Sequence, residues 1–176
     1  MPDFDPRWFR DACGLFGTGV TVVTTHHDDE DHGMTANAFM SVSLDPPLIA
    51  VSIAERARMR MKLLAARRFA VSVLAEGMED VAWHFAGKPR PHLANLFDRR
   101  DELPVIRGAV ASFVADLDQA VPAGDHTISI GRVLSIASDP ALRPLLFYRG
   151  QFTRSSHGLP HAAPAELLEN VAVQIW

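Results

Sequence analysis

The sequence predicts a mainly β fold with a few helices, an antiparallel barrel or sandwich. Three strand-like runs precede any long helical run, seven or so such runs adjoin through short turns, and helical spacing occurs only at the start and middle of the chain. A doubly wound sheet would instead alternate strands with helices. At 176 residues, 48% hydrophobic and 22% charged, with 12 Pro, 11 Gly and one Cys, the composition is that of one globular domain with its own core. Disordered, collagenous and disulfide-scaffold chains are excluded.

The first element is an amphipathic helix over 5–16, because Trp8, Phe9, Ala12, Leu15 and Phe16 recur at intervals of three and four, and its apolar face is expected to cover a sheet. Gly17, Thr18 and Gly19 end it, and the β-branched run 20–25 reads as a strand. The polar run 26–32, closed by Gly33, reads as a turn tip. A second strand is expected over 34–44 and a third over 48–53, separated by Asp45, Pro46 and Pro47, since proline interrupts a ladder. A helix is expected over 57–66, a strand over 69–74, a helix over 76–85 and a loop over 87–104. Further strands are expected over 109–117, 126–137 and 145–148, and a short helical patch over 165–171 in a tail that ends on the apolar Ile175 and Trp176. No internal repeat or linker divides the chain.

The formal net charge of −4 argues against a general nucleic-acid or membrane-surface binder. That average conceals an asymmetry. Residues 55–68, ERARMRMKLLAARR, set Arg56, Arg58, Arg60, Lys62, Arg67 and Arg68 against Glu55, a local +5 that leaves −9 for the remainder. Such a segment suits an anion. The start lacks a secretory signal and no stretch is apolar enough to span a membrane, so a cytoplasmic setting is expected. Cys13 can form no intrachain disulfide, and its apolar helical surroundings argue against a nucleophile.

The most informative stretch is HGMTANAFMSVSLDPP, residues 32–47. Read as one strand, its even positions Met34, Ala36, Ala38, Met40, Val42 and Leu44 are all apolar and belong in the core. The odd positions Thr35, Asn37, Phe39, Ser41 and Ser43 carry short hydrogen-bonding groups and no charge. That face suits a planar ligand with polar edges, such as a flavin, and it equally suits an ordinary strand surface. The start of the basic helix, with free N–H groups beside Arg56 and Arg58, is a seat for phosphate or else a solvated face. In AGDHT, residues 123–127, a Gly–Asp turn puts His126 at the mouth of a strand, where it faces a cavity or is structural. The run 26–32 (HHDDEDH) reads as a solvated hairpin tip, and no metal is expected. Gly14, Gly17 and Gly19 stand in the wrong order and context for a dinucleotide fingerprint, and no Walker A, HExxH, GxSxG or CxxC pattern occurs.

Taken in order, GTGVTVVTT (17–25), HGMTANAFMSVSLDPPL (32–48), VSIAERARM (51–59), RFAVSVLA (68–75), HFAG (84–87), LPVI (103–106), AGDHTISIGRV (123–133) and PLLFYRGQF (144–152) resemble one family. It is the flavin reductase components of two-component aromatic monooxygenases, of the phenol and 4-hydroxyphenylacetate type. The resemblance covers about residues 7–153 and leaves the C-terminal tail outside, so the expected division is a domain over 1–158 and a tail over 159–176. It implies an antiparallel Greek-key FMN-binding split barrel, a homodimer, and an enzyme that uses NADH or NADPH to reduce FMN or FAD for a separate monooxygenase.

By position, the resemblance implies that Thr35, Ala36, Asn37 and Ala38 line the isoalloxazine, with Ser41, Val42 and Ser43 on the same wall. Ser52, Ile53, Ala54, Glu55, Arg56, Ala57, Arg58 and Met59 would hold the phosphate and ribityl portion. His84, Phe85 and Ala86 would approach the flavin, His126 would position the nicotinamide, and Tyr148 and Phe152 would sit near the rim. Three residues depart from the family pattern: Gly17 for a usual Ala, Ser72 for a common Asn, and Arg132 for a frequent Glu. Two other readings stay open, a non-catalytic flavin-binding module and a split-barrel oxidase with permanently bound FMN.

Overall fold

The computed structural model describes residues 5–154. Its centre is a seven-stranded antiparallel sheet in the order β3-β2-β6-β9-β10-β5-β4. The strands are β2 (Thr21–His27), β3 (Glu30–Ala36), β4 (Phe39–Leu44), β5 (Pro47–Ala54), β6 (Arg68–Val73), β9 (Ala111–Ala123) and β10 (His126–Ser138). Returns of β6 to β2 and of β5 to β10 across long stretches of sequence give the Greek-key character. The two edge strands, β3 and β4, are consecutive in sequence and separated by Asn37 and Ala38 alone. Two residues span at most about 11 Å, so the sheet has to curl until its edges nearly meet. The result is a barrel split along one seam.

That closure corrects the single strand expected over 34–44. The chain breaks at Asn37–Ala38, and past the break the faces exchange. Phe39 packs against Phe113 with ring centroids 5.6 Å apart, whereas Met40, Val42 and Leu44 are 59%, 41% and 74% exposed. Of the even positions, Met34 and Ala36 alone pack on the core.

The barrel interior holds Val23, Ile49, Val51, Ile53, Phe69 and Val71, and α2 (Arg58–Ala66) closes one end by inserting Met59 and Leu63, one helical turn apart. A second cluster, built on Val20, Val22, Leu74 and Leu145, lies outside the wall under α3 (Glu79–Phe85). β2 separates the two clusters, which explains its unbroken β-branched run: both of its faces are buried. Its hydroxyls are satisfied by main-chain carbonyls, Thr21 Oγ1 donating to Ala36 O at 2.7 Å and Thr25 Oγ1 to Arg68 O at 2.8 Å.

The remaining elements are short. α1 is Pro6–Cys13, capped by Asp5, and it buries no residue; Trp8 and Phe9 are each 61% exposed, so its apolar face does not cover a sheet of this chain. β1 (Thr18–Gly19), β11 (Leu146–Tyr148) and β12 (Gln151–Thr153) form a small sheet. The expected loop over 87–104 contains β7 (Phe97–Arg100) and leads into β8 (Leu103–Ile106); their tight turn places Asp101 and Glu102 at positive φ without a glycine to announce it. β9 and β10, 13 residues each, form one hairpin whose turn, Gly124–Asp125, has Gly124 at φ +64. The helical patch expected over 165–171, and Ile175 and Trp176, lie outside the described residues.

One glycine is fixed by packing. A Cβ on Gly131 would fall 2.5 and 2.7 Å from ring atoms of Phe69 and 2.9 Å from Ala115 Cβ, both buried. Gly131→Ala is expected to cost about 1–3 kcal/mol by overpacking. A thermal melt should show a fall of several degrees; an unchanged melting temperature would contradict this packing.

Candidate functional site

Residues paired across β5 and β10 share a face of the wall. Ile49, Val51 and Ile53, opposite Gly131, Ser129 and Thr127, are buried toward the interior. Ser52 with Ile128, and Ala54 with His126, therefore turn outward. On that outer face lies a hollow of about 700 Å³, lined by Ser52, Ala50 and Ile128, by Asn37 and Ala38 at the seam, and by Phe16–Gly19 beyond it. The Ser52 N–H donates to Ala38 O at 3.0 Å, fastening the seam to the wall.

Two polar groups in the hollow have no protein partner among the described residues. The Thr18 hydroxyl is buried and unpaired, and the exposed Asn37 amide is also without a bond. Past Ser52, β5 runs into α2, whose N-cap Ala57 makes no side-chain capping bond. The first amides of the helix are left open there, at its positive end.

The basic segment is not one patch. Lys62 pairs with Glu30 at 3.2 Å, Arg60 lies 3.0 Å from Glu55, and Arg67 Nη2 donates to Leu117 O at 3.0 Å. Arg68 stands 3.0 Å from Asp116 by proximity of charge rather than through an aligned Nε–H. Among the described residues only Arg56 and Arg58, of the six, carry no counter-ion or hydrogen bond. Asp125 feels Arg56 and His32 feels Arg58, which places one guanidinium toward the β9–β10 turn and the other toward β3.

Asp125 is held below the usual carboxylate range, first by its hydrogen bond with His126 Nδ1 at 2.7 Å and then by that ring's charge. The ionised carboxylate thus orients the ring at the strand mouth. Arg132 lies six residues along β10 and bridges to Asp118 across the hairpin at 2.9 Å, a surface contact away from the hollow. Ser72, buried in the wall, accepts from the Ile106 N–H at 3.0 Å.

The other expected residues are dispersed. The Thr35 hydroxyl donates to Ala82 O at 2.7 Å, and Ala36 O accepts from Thr21. Ser41, Val42 and Ser43 run away from the hollow along β4, with Val42 at a bulge. The side chains of Ile53 and Met59 are in the core, so only their backbone faces outward. His84 Nδ1 accepts from the Arg90 N–H at 3.1 Å, Ala86 caps α3, and Phe85 lies against Gly33, where a Cβ would come within 2.6 Å of its ring. Phe152 packs edge-on to Trp83 at 5.1 Å, while Tyr148 lies beside Gly17 at the end of the hollow.

Sequence reasoning missed Thr18, Phe16 and His32. The compact Gly17-Thr18-Gly19 triplet was the available signal for the first two; His32 was hidden in a polar run. It is half-buried on β3, where α2 packs, and its pKa is lowered from 6.5 by burial first, then by Lys62 and Arg58, against a weaker opposing effect of Glu30. Protons therefore bind the unfolded chain first as pH falls through 6.5, and this group withdraws stability from the fold on acidification. An imidazole titration followed by NMR should place the His32 midpoint below 6.5 in the free protein and move it upward in Arg58→Ala. An unshifted midpoint in that variant would contradict the placement of Arg58.

Known proteins resemble this chain over most of its length. Residues 13–156 match the family model described as flavin reductase like domain. An NADH-dependent flavin reductase of Rhodococcus sp is 44% identical over 154 residues, covering 86% of this chain and 87% of that protein. The reductase component of 4-hydroxyphenylacetate 3-monooxygenase from Thermus thermophilus is 40% identical over 146 residues, covering 83% and 94%. The solved structure of flavin reductase PheA2 in its native state superposes with a TM-score of 0.84 at 42% identity, covering 88% of this chain and all of that one. With the fold, the seam and the ordered motifs in agreement, the chain belongs to the flavin reductase-like family.

Proposed function

We propose that this protein is an NAD(P)H-dependent flavin reductase that passes a hydride from NADH or NADPH to FMN or FAD and supplies reduced flavin to a separate monooxygenase. The observation that carries this reading is the pair Arg56 and Arg58, cations without ion-pair partners among the described residues at the uncapped start of α2, which follows directly on β5, the strand whose Ser52 lines the hollow. A phosphate-bearing flavin fits that set: guanidinium and amide donors for the phosphate, and short polar groups for the ring edges.

When bound, the flavin supplies the hydride acceptor, so the protein's task is alignment and electrostatics. Arg56, Arg58 and the first amides of α2 hold the phosphate. The Asn37 amide and the Thr18 and Ser52 hydroxyls offer donors and acceptors to the ring, and Ala38 gives it a smooth floor. His126, oriented by Asp125, presents its ring to the nicotinamide on the same face two residues from Ile128. Tyr148, beside Gly17, borders the hollow, whereas Thr35, Ala36, Ser41, Val42, Ser43, His84, Phe85, Ala86 and Phe152 do not line it.

A homodimer is part of the proposal. Met40, Leu44 and Ile136, 59%, 74% and 57% exposed, form apolar surface that a second copy would cover. No described helix is long and apolar enough to cross a membrane; a cytoplasmic setting, with its nicotinamide pool, suits the activity.

Crossing NADH and NADPH with riboflavin, FMN and FAD should show turnover with at least one pair, and anaerobic ultrafiltration should recover reduced flavin in the filtrate. Absence of nicotinamide oxidation would favour a non-catalytic module, and flavin retained through turnover would favour an oxidase. On the same preparation, light scattering should give a dimer; a monomer at micromolar concentration would overturn that part.

A further inference from the structure

The two ends of the proposed site come from separate stretches of chain. Arg56 stands on the turn between β5 and α2, and His126 opens β10 just past the β9–β10 turn. Their relative position depends on how those turns are joined. The backbone ties them through the β5–β10 ladder, which ends at Ala54–His126, and through the Glu55 N–H, which donates to Asp125 O at 2.9 Å.

A second tie runs through Thr127. This residue is 2% exposed and faces the opposite side of β10 from His126, into the barrel end that α2 closes. Its hydroxyl donates to Glu55 Oε1 at 2.5 Å and accepts from Arg60 Nε at 2.9 Å, while Arg60 Nε lies 3.0 Å from the same carboxylate oxygen. The hydroxyl proton goes to the carboxylate and one lone pair takes the guanidinium N–H, so the group bridges the two. Glu55 and Arg60 could pair without it. What Thr127 adds is the attachment of that pair, and with it Arg56 and the first turn of α2, to the strand that carries His126.

We propose that Thr127 is a positioning residue for hydride transfer, fixing the phosphate end of the site against the nicotinamide end through its hydroxyl. The inference rests on the reductase reading above. Ring-to-ring transfer is sensitive to displacements of about 1 Å, so loosening this joint should slow the transfer more than it weakens binding.

The test compares wild type with Thr127→Val, which keeps the shape and deletes the hydroxyl, and with Thr127→Ser, which restores it. In the ligand-free protein, amide hydrogen exchange over 53–58 should be about tenfold faster in Thr127→Val and return toward wild type in Thr127→Ser. In rapid mixing at saturating NADH with FMN or FAD, transfer should slow about tenfold in Thr127→Val, with an increased isotope effect from NADH deuterated at C4, and recover in Thr127→Ser. A Thr127→Val protein that transfers hydride at the wild-type rate overturns the proposal, as does a Thr127→Ser protein as slow as the valine variant. Should Thr127→Val fail to fold, Glu55→Ala decides: slower transfer with faster exchange over 53–58 supports the tie, and wild-type values overturn it. An inactive wild type would overturn the reductase reading itself, whereas an active wild type with an unaffected Thr127→Val overturns only the positioning role.

Discussion

The structure depends on a closure constraint. Asn37 and Ala38 are the only residues between the two edge strands of a seven-stranded sheet, so the sheet must roll up for those edges to be joined. Rolling encloses Ile49, Val51, Ile53, Phe69 and Val71, brings Phe39 onto Phe113, and leaves an open end for Met59 and Leu63 to plug. The seam is where the backbone leaves regular pairing, and it is there that two residues are free to face a ligand. Closure and site are thus consequences of one short connection.

Electrostatics follows from the same geometry. Rolling the sheet sets α2 against β2, β3 and β10, and that contact supplies Glu30 for Lys62 and Glu55 with Thr127 for Arg60. These bonds fasten the helix to the barrel. The cations left over are those nearest its N-terminus, where open amides add their own positive potential. The exposed Lys62–Glu30 pair contributes little to stability, so its main effect is to decide which charges remain available.

Much of this was legible in the sequence, for physical reasons. The run 20–25 and the 126–137 pattern have the period and branching of strands, and Gly124 with Asp125 marks a tight hairpin turn. The start of the basic helix reads as a place for an anion, and Arg56 and Arg58 stand there without ion-pair partners among the described residues. Other features depend on contacts distant in the chain. Nothing local breaks the alternation at Asn37–Ala38, so 34–44 reads as one strand, and only barrel closure reverses the faces beyond it. The partners of Lys62, Arg67 and Arg68, and the Thr127 hydroxyl that holds Arg60, lie tens of residues away, so four committed cations look available in the sequence. The exposed face of α1 could not be foreseen either, because its helical spacing promises burial without saying against what. The Asp101–Glu102 turn lacks the glycine that usually announces positive φ.

The central claim is that Arg56 and Arg58 form the phosphate seat of a flavin site whose ring end lies over Asn37, Ala38 and Ser52. Equilibrium binding of FMN and of riboflavin, which lacks the phosphate, separates the two ends directly. Replacing both arginines by alanine should weaken FMN at least about tenfold and leave riboflavin nearly unchanged. Equal losses for the two ligands, or undiminished FMN affinity, would contradict the account.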